Sequence, residues 1–543
     1  MNVAQAVGVA LGRFGVRRAF GVVGSGNFHF TNGLVRGGVE FVAARHEGGA
    51  TTMADAYARC SGEVAVVSVH QGCGLGNAVT GLGEAAKSRT PLLVVTGEAT
   101  DPLSNFHIDQ DGLARSVGAA GVLVRSAQTA LDDVRRAFTQ ARRDRRTVLV
   151  RLPLDVQAES FDERLLDELA PIEPLPYPCA SEQDVEALVT ALRQANRPVF
   201  LGGRGARSAR EALVELADLC GALLAEGAVA KGLFAGEPWA IGVSGGFSSP
   251  PAAELIRGAD LLVGWGSALN DWTTAHGQLI GAETTLVQVD LEAAAIGRNR
   301  PVALGIVGDV AETARAVSQR LNEDNHRSAG YRANAQLVHG LHWREQPYPD
   351  AGTADAIDPR TLSIALDELV PANRVLGVDS GNFMGFPTMY LDVPDENGCC
   401  FTQAFQSIGL GLATTIGAAL AQPARFPVAA CGDGGFLMSI SELETAVRLQ
   451  LPMLIVVYND HAYGAEVYFF EPDGHPADTV RFPDTDLAAI ARGYGCDGVS
   501  VRRQADLAEV AARVSAGLTR PLVVDAKIVG FSAWWHRAAM TRH

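Results

Sequence analysis

Residues 427–464 read PVAACGDGGFLMSISELETAVRLQLPMLIVVYNDHAYG, and the rest of the chain is arranged around them. An apolar strand ends at Cys431, and Gly432-Asp433-Gly434-Gly435 follows with no room for bulky side chains. A helical stretch leads to a second apolar run, Leu451 to Tyr458, which ends at Asn459-Asp460. Two parallel strands joined by a helix bring their carboxyl ends to one edge of a sheet. Asp433 and Asp460 then offer two carboxylates beside glycine backbone. That donor set suits magnesium, a hard cation that can in turn hold phosphates. Read alone, the stretch is equally an ordinary βαβ unit with polar residues in its loops.

The same rhythm runs outward in both directions. Arg18 to Val23, Val39 to Ala44, Val64 to Val69, Thr90 to Thr96 and Thr147 to Leu152 are short apolar runs between helical patterns, the clearest helices being 2–14 and 49–59. A proline-rich linker, APIEPLPYPCA at 170–180, closes this region. A second region has strands at Pro198 to Gly202, Asp260 to Trp265 and Thr285 to Asp290, with a helix from Ser208 to Cys220. A polar connector runs from about 322 to 358, with 328–343 readable as a helix. The third region begins near 359 and ends on a strand at Pro521 to Ile528. Strands alternating with helices predict an α/β protein of three doubly wound parallel-sheet domains, at 1–170, 180–325 and 358–535. The first and third regions both place glycine-rich turns after short strands, a similarity of pattern rather than a demonstrable repeat.

Composition narrows the function. A chain of 543 residues, 47% hydrophobic and 20% charged, has ample material for such cores. Its net charge of −16 argues against nucleic acid or an anionic membrane as partner. Cysteines 60, 73, 179, 220, 399, 400, 431 and 496 contain no C-x-x-C pair, so they read as buried reduced thiols rather than zinc ligands. The N-terminus lacks the order of a signal peptide, and no run reaches the roughly 20 apolar residues of a membrane span. The expectation is a cytoplasmic enzyme.

Gly432-Asp433-Gly434, a long spacer and Asn459-Asp460 resemble the signature of thiamine-diphosphate enzymes. Most members carry a second asparagine at 460. An aspartate adds negative charge opposite a diphosphate and is tolerable only with the metal in place. The resemblance implies thiamine diphosphate and magnesium as cofactors. Asp433, Asp460 and Ala462 would hold the metal, and Gly432, Gly434, Gly435 and Tyr463 would join them at the cofactor.

A second segment, Arg45-His46-Glu47-Gly48-Gly49-Ala50 with Met53-Ala54-Asp55-Ala56-Tyr57-Ala58-Arg59, strongly resembles the part of the family that carries the activating glutamate. By itself Glu47 is a first-turn carboxylate favourable to a helix N-terminus. The resemblance makes it the group that contacts N1′ of the aminopyrimidine. Ile408, in Gln406-Ser407-Ile408-Gly409, aligns with the apolar wedge that bends the cofactor, though it is also an unremarkable core isoleucine. Asp379-Ser380-Gly381-Asn382 follow an apolar strand at a turn that can approach a diphosphate, and Gln403 falls nearby. His70 in V-H-Q-G-C-G-L-G-N resembles the histidine segment of benzoylformate decarboxylase. With Ser25 it would relay protons or orient a 2-oxo acid. The adjacent-histidine pair of pyruvate decarboxylase is missing, since Ser104-Asn105-Phe106-His107 offers only His107.

Gly202-Gly203-Arg204-Gly205 is an incomplete dinucleotide fingerprint. Arg204 is compatible with FAD as bound by acetohydroxyacid synthases, whereas Gly264 to Asp271 departs from the synthase pattern. The tail, Phe531-Ser532-Ala533-Trp534-Trp535-His536, reads either as a packed helix or as a lid over the site. Taken together, the segments resemble an acetolactate-synthase-like enzyme with pyrimidine-binding, central and diphosphate-binding domains. The resemblance implies decarboxylation of a pyruvate-like 2-oxo acid and carboligation of the enamine to a second carbonyl compound. It also implies a homodimer or homotetramer whose sites lie between subunits. A simple aldehyde-releasing decarboxylase and a flavin-dependent oxidase are the alternatives. Intact Glu47 and the intact metal turn weigh against a non-enzymatic regulatory subunit.

Overall fold

The computed structural model describes residues 1–173 and 176–535. It contains three six-stranded sheets in which every strand pair is parallel. The first holds β1 (Arg18–Gly21), β2 (Glu40–Ala43), β3 (Ala65–Val69), β4 (Leu92–Glu98), β5 (Ala120–Leu123) and β6 (Thr147–Pro153) in the order β2-β1-β3-β4-β6-β5. The central sheet holds β7 (Pro198–Gly202), β8 (Leu223–Glu226), β9 (Ala240–Val243), β10 (Leu261–Trp265), β11 (Thr285–Asp290) and β12 (Leu304–Val307) in the order β12-β11-β10-β7-β8-β9. The third holds β13 (Arg374–Val378), β14 (Cys399–Phe401), β15 (Phe426–Gly432), β16 (Leu454–Asn459), β17 (Asp497–Val501) and β18 (Leu522–Lys527) in the order β14-β13-β15-β16-β18-β17.

The α/β class and the three parallel sheets expected from the sequence are what the structure contains. The first and third sheets have the same strand order, so the shared rhythm of the two regions is a shared topology. In such a sheet the order reverses beside the first strand, and the crevice outside the strand ends at that point is the place for a ligand. The crevice lies between β1 and β3 in the first sheet and between β13 and β15 in the third. The central sheet instead has the order of a dinucleotide-binding fold.

Five helices position the site: α1 (Glu47–Ser61), α2 (Cys73–Lys87), α3 (Gly411–Ala421), α4 (Asp433–Met438) and α5 (Glu442–Arg448). Besides a buried cluster of its own, each of the first and third regions contributes to a shared one. Phe20, Met53 and Leu82 belong to one buried cluster with Ile416, Phe436 and Leu443. The contact is close because α3 crosses α1 at a glycine: a Cβ on Gly417 would lie 2.1 Å from the Met53 carbonyl oxygen. A buried ion network reinforces the junction. Arg59 is paired with Asp55 at 2.6 Å and Glu84 at 2.8 Å, and its guanidinium donates to the Phe401 carbonyl at 3.3 Å. The D-A-Y-A-R stretch is therefore structural glue between regions.

Three expectations need correction. Residues 328–343 are not one helix but short 3-10 turns at Gly330–Ala333 and Ala335–Val338, followed by another at Trp343–Glu345. Extended Asn334 and the left-handed glycines 330 and 340 interrupt them. The single helix expected between β15 and β16 is two, α4 and α5, broken where the Ser439 hydroxyl donates back to the Gly435 carbonyl at 3.1 Å. All eight cysteines are free, but Cys73 and Cys179 are exposed rather than buried. Among the described residues no helix is long and apolar enough to cross a membrane.

The tail to Trp535 packs rather than hovers. Trp535 is fully buried, against Gly385, Phe386 and, across the region boundary, Phe247. His536 lies outside the described residues.

Candidate active site

The third sheet gathers most of the expected cofactor residues at one edge. β15 and β16 are paired so that Gly432 stands opposite Tyr458. Asp433 opens α4 directly after one strand, and Asp460 follows the other. Burial pushes the Asp433 carboxyl up to about 6. Burial, then the neighbouring charge of Asp433, pushes Asp460 up to about 7. A dry turn in which the Asp433 charge raises Asp460 is a place where a bound cation would be favourable. A third oxygen lies alongside. A Cβ on Gly464 would fall 2.3 Å from Asp460 Oδ2 and 3.1 Å from Asn382 Nδ2, so Asp460 and Asn382 flank that glycine. Asn382 Oδ1 is buried and has no protein partner among the described residues. An all-oxygen set of this kind, incompletely satisfied by protein, fits a hard divalent cation. Ala462 is buried in the same turn, where its N–H supports the Asp460 carboxylate, and His461 between them is left-handed at φ 57°.

Next to this turn is a cavity of about 270 Å³ lined by Asp433, Gly434, Met438, His461, Tyr463 and Phe482. Tyr463 meets Phe482 edge-on at 4.9 Å, which fixes its ring against Gly434. Ser380, Gly381 and Asn382 follow β13. The Ser380 hydroxyl donates to Gln403 Oε1 at 3.4 Å, so Gln403 joins the edge. Ile408 is half-buried in the loop before α3 and not within the helix.

The first residue of this turn has a role that the sequence did not show. Asp379 is fully buried and accepts N–H bonds from Ser380 at 2.8 Å and from Gly409 and Leu410 at 3.1 Å. It ties the Ser380 turn to the Ile408 loop, and burial lifts its carboxyl to about 6 despite those bonds. The only sequence signal was its place at a strand end, directly before Ser380-Gly381-Asn382.

The first sheet gathers the other set. Glu47 is the first residue of α1 and accepts from Asn77 Nδ2 at 3.0 Å. Asn77 is the last residue of the V-H-Q-G-C-G-L-G-N run, where its type but not its partner was visible. Ser25 and His70 meet across the β1/β3 crevice, with Ser25 Oγ 3.3 Å from His70 Nε2. His70 Nδ1 is 3.0 Å from the Gln71 carbonyl. A carbonyl can only accept, so Nδ1 carries the proton and the neutral ring presents Nε2 as acceptor to the serine. His107 is spent on the Ala99 carbonyl at 2.8 Å. Among the described residues no hydrogen bond or ion pair joins Glu47 to the Asp433–Asp460 turn of the same chain.

The central region tells against a flavin at its glycine–arginine turn. A diphosphate cradle needs free N–H groups. Here Gly203 N–H is given to Trp265, Gly205 N–H to Gly266 and Ala206 N–H to Gly203. Arg204 reaches across to the Ser88 carbonyl of the first region. As a flavin diphosphate site this turn does not fit.

Comparison with known proteins matches three family models in chain order. They are the thiamine pyrophosphate enzyme N-terminal binding domain at residues 1–146, the central domain at 185–317 and the C-terminal binding domain at 379–526. The acetolactate synthase isozyme 2 large subunit of Escherichia coli is 28% identical, over 93% of this chain and 91% of the relative. A sulfoacetaldehyde acetyltransferase of Rhodobacter capsulatus is 28% identical, over 94% and 91%. A Pseudomonas aeruginosa protein named "Probable 2-ketoarginine decarboxylase AruI" is 29% identical, over 95% and 92%.

Proposed function

The chain belongs to the thiamine-pyrophosphate enzymes of the acetolactate synthase and decarboxylase superfamily, and from that premise we propose that it decarboxylates a 2-oxo acid and joins the product to a second carbonyl compound. The observation that carries this reading is the Asp433–Asp460 turn, two buried carboxylates, both raised by burial and Asp460 also by the charge of Asp433, beside the Asn382 oxygen that has no protein partner among the described residues. Asp433, Asp460 and Ala462 would hold magnesium. Ser380, Gly381, Asn382 and the Gly432–Gly435 backbone would border the diphosphate it binds. Gln403, Ile408 and Tyr463 would flank the rest of the cofactor.

When bound, thiamine diphosphate supplies the electron sink for loss of carbon dioxide. The chain's own residues bind, orient and move protons. Glu47, held by Asn77, exchanges the proton at N1′ of the aminopyrimidine. His70 Nε2 and Ser25 Oγ form one acceptor–donor pair at the crevice, able to orient a carboxylate or carbonyl oxygen and to pass it a proton. As the resemblance implies, the proposed complete site draws Glu47 from one subunit and the metal turn from another. The proposed arrangement is a homodimer or a homotetramer built from two such dimers.

Carboligation is favoured over simple aldehyde release because the lone His107 is anchored to backbone and two of the relatives carry synthase or transferase names. The test is to incubate the protein with thiamine diphosphate, magnesium and a panel of 2-oxo acids, with and without aldehyde or ketone acceptors. Carbon–carbon products by mass spectrometry are expected. Aldehyde as the sole product under every acceptor would reassign it as a decarboxylase.

A further inference from the structure

A side chain from the third region reaches into the first directly beside Glu47. Glu442 opens α5 and is only 1% exposed. Its Oε1 accepts the Arg45 N–H at 3.2 Å and the His46 N–H at 3.0 Å, and its Oε2 accepts the Thr445 hydroxyl at 2.7 Å. Arg45 and His46 are the two residues before Glu47, and His46 is the N-cap of α1. The rest of α5 follows the same segment: Arg448 donates to the Ala43 carbonyl, and Glu444 lies 3.6 Å from Arg45. The second glycine of the Arg45–Ala50 motif has its reason here. A Cβ on Gly49 would lie 2.3 Å from Glu442 Oε1.

We propose that Glu442 is a positioning residue for Glu47, a proposal that rests on reading Glu47 as the carboxylate that exchanges a proton with the cofactor. Helix ends fray, and a carboxylate on the first residue moves with its backbone. Glu442 removes that freedom by fixing the two preceding peptide groups through its hydrogen bonds. The groups facing it are the Arg45 and His46 amides, the His46 ring, Thr445 and the start of α1, and none of them is a cation-turn residue. The chain runs from Asp433 through α4 directly into α5. The peptide that contributes the cation turn to one site therefore also sets the glutamate that the chain lends to the other site.

The experiment uses the full-length protein loaded with thiamine diphosphate and magnesium. It reads hydrogen–deuterium exchange at C2 of the bound thiazolium by quenched NMR, cofactor affinity by calorimetry, and the thermal midpoint. Glu442→Ala should slow exchange at least about tenfold while cofactor affinity stays within about threefold, since a misplacement near 1 Å is enough for such a loss. Glu442→Gln keeps Oε1 as acceptor and should restore most of the rate. Glu47→Gln, run in parallel, should abolish exchange. If it does not, the reading of Glu47 fails. If it does, and Glu442→Ala exchanges at the wild-type rate, the positioning role is wrong. A loss that glutamine fails to rescue assigns the effect to charge and also overturns it. Should Glu442→Ala not fold, Thr445→Val loosens the same carboxylate, and an unchanged rate in that variant has the same force.

Discussion

At the scale of single residues the site is a matter of which polar atoms are left unsatisfied. Glu47→Gln keeps the Asn77 bond but cannot exchange a proton, so turnover should fall about 10²- to 10⁴-fold with cofactor still bound. Asp460→Asn should retain magnesium-dependent cofactor binding, whereas Asp460→Ala should weaken it at least about tenfold in calorimetry, as loss of an oxygen ligand does. The pair also sets a pH dependence. Both carboxyls are raised in the fold, so the folded state holds their protons longer than the unfolded chain. That contribution is fully present near pH 4 and is lost as pH rises through about 6 to 7. The cofactor-free protein should show a thermal midpoint that falls over this range relative to Asp460→Asn, with added magnesium flattening the difference. Asp433, Asp460 and Glu47 were legible in the sequence because their neighbours form recognisable strings. The roles of Asp379, Glu84 and Glu442 were not, because each acts on peptide N–H groups distant in the chain, and a backbone partner leaves no trace in side-chain identity. Glu84, for example, accepts the Ala404 and Phe405 amides, which lie more than three hundred residues away.

At the scale of elements, the central strands were readable from their apolar runs almost to their observed ends, whereas β8 and the edge strands β5, β9, β12, β14 and β17 were not read, and the helices were less legible still. Leu454–Asn459 and Arg374–Val378 are wholly buried, and continuous apolar character marks such strands. The α4–α5 break and the 3-10 turns of the connector depend on local hydrogen bonds that periodicity does not encode. The element on which most depends is α1, held between α2, α3 and α5. Gly417→Ala places a methyl group into the Met53 carbonyl and should destabilise the protein by about 1–3 kcal/mol, visible as a lowered denaturant midpoint. If the crossing relaxes instead, the midpoint will not move and α1 is less constrained than its contacts indicate.

At the scale of the whole molecule, the first and third regions share a core, and among the described residues no hydrogen bond or ion pair joins Glu47 to the Asp433–Asp460 turn. Co-expressing an inactive Glu47→Gln chain with an inactive Asp433→Ala chain should restore part of the activity, because a mixed dimer has one intact site. Mixtures as inactive as the parents would place both halves within one chain. The three-sheet plan was legible from alternation alone. The partnership of regions was not, since no residue type announces that two sheets will bury one another's helices. The tail is a related case. Its aromatic residues promised either packing or a lid, and up to Trp535 it packs. Trp534 and Trp535 meet there, Trp343 of the connector lies 5.3 Å from Trp534, and Phe247 stands between Trp272 and Trp535. Four of the chain's six tryptophans thus converge where the tail, the connector, the central region and the third region join. Ultraviolet emission from this protein is therefore weighted toward that one junction. A red shift on mild heating or at low denaturant would report the tail lifting from its seat, and in a stopped-flow trace it would give the order in which the three regions come apart.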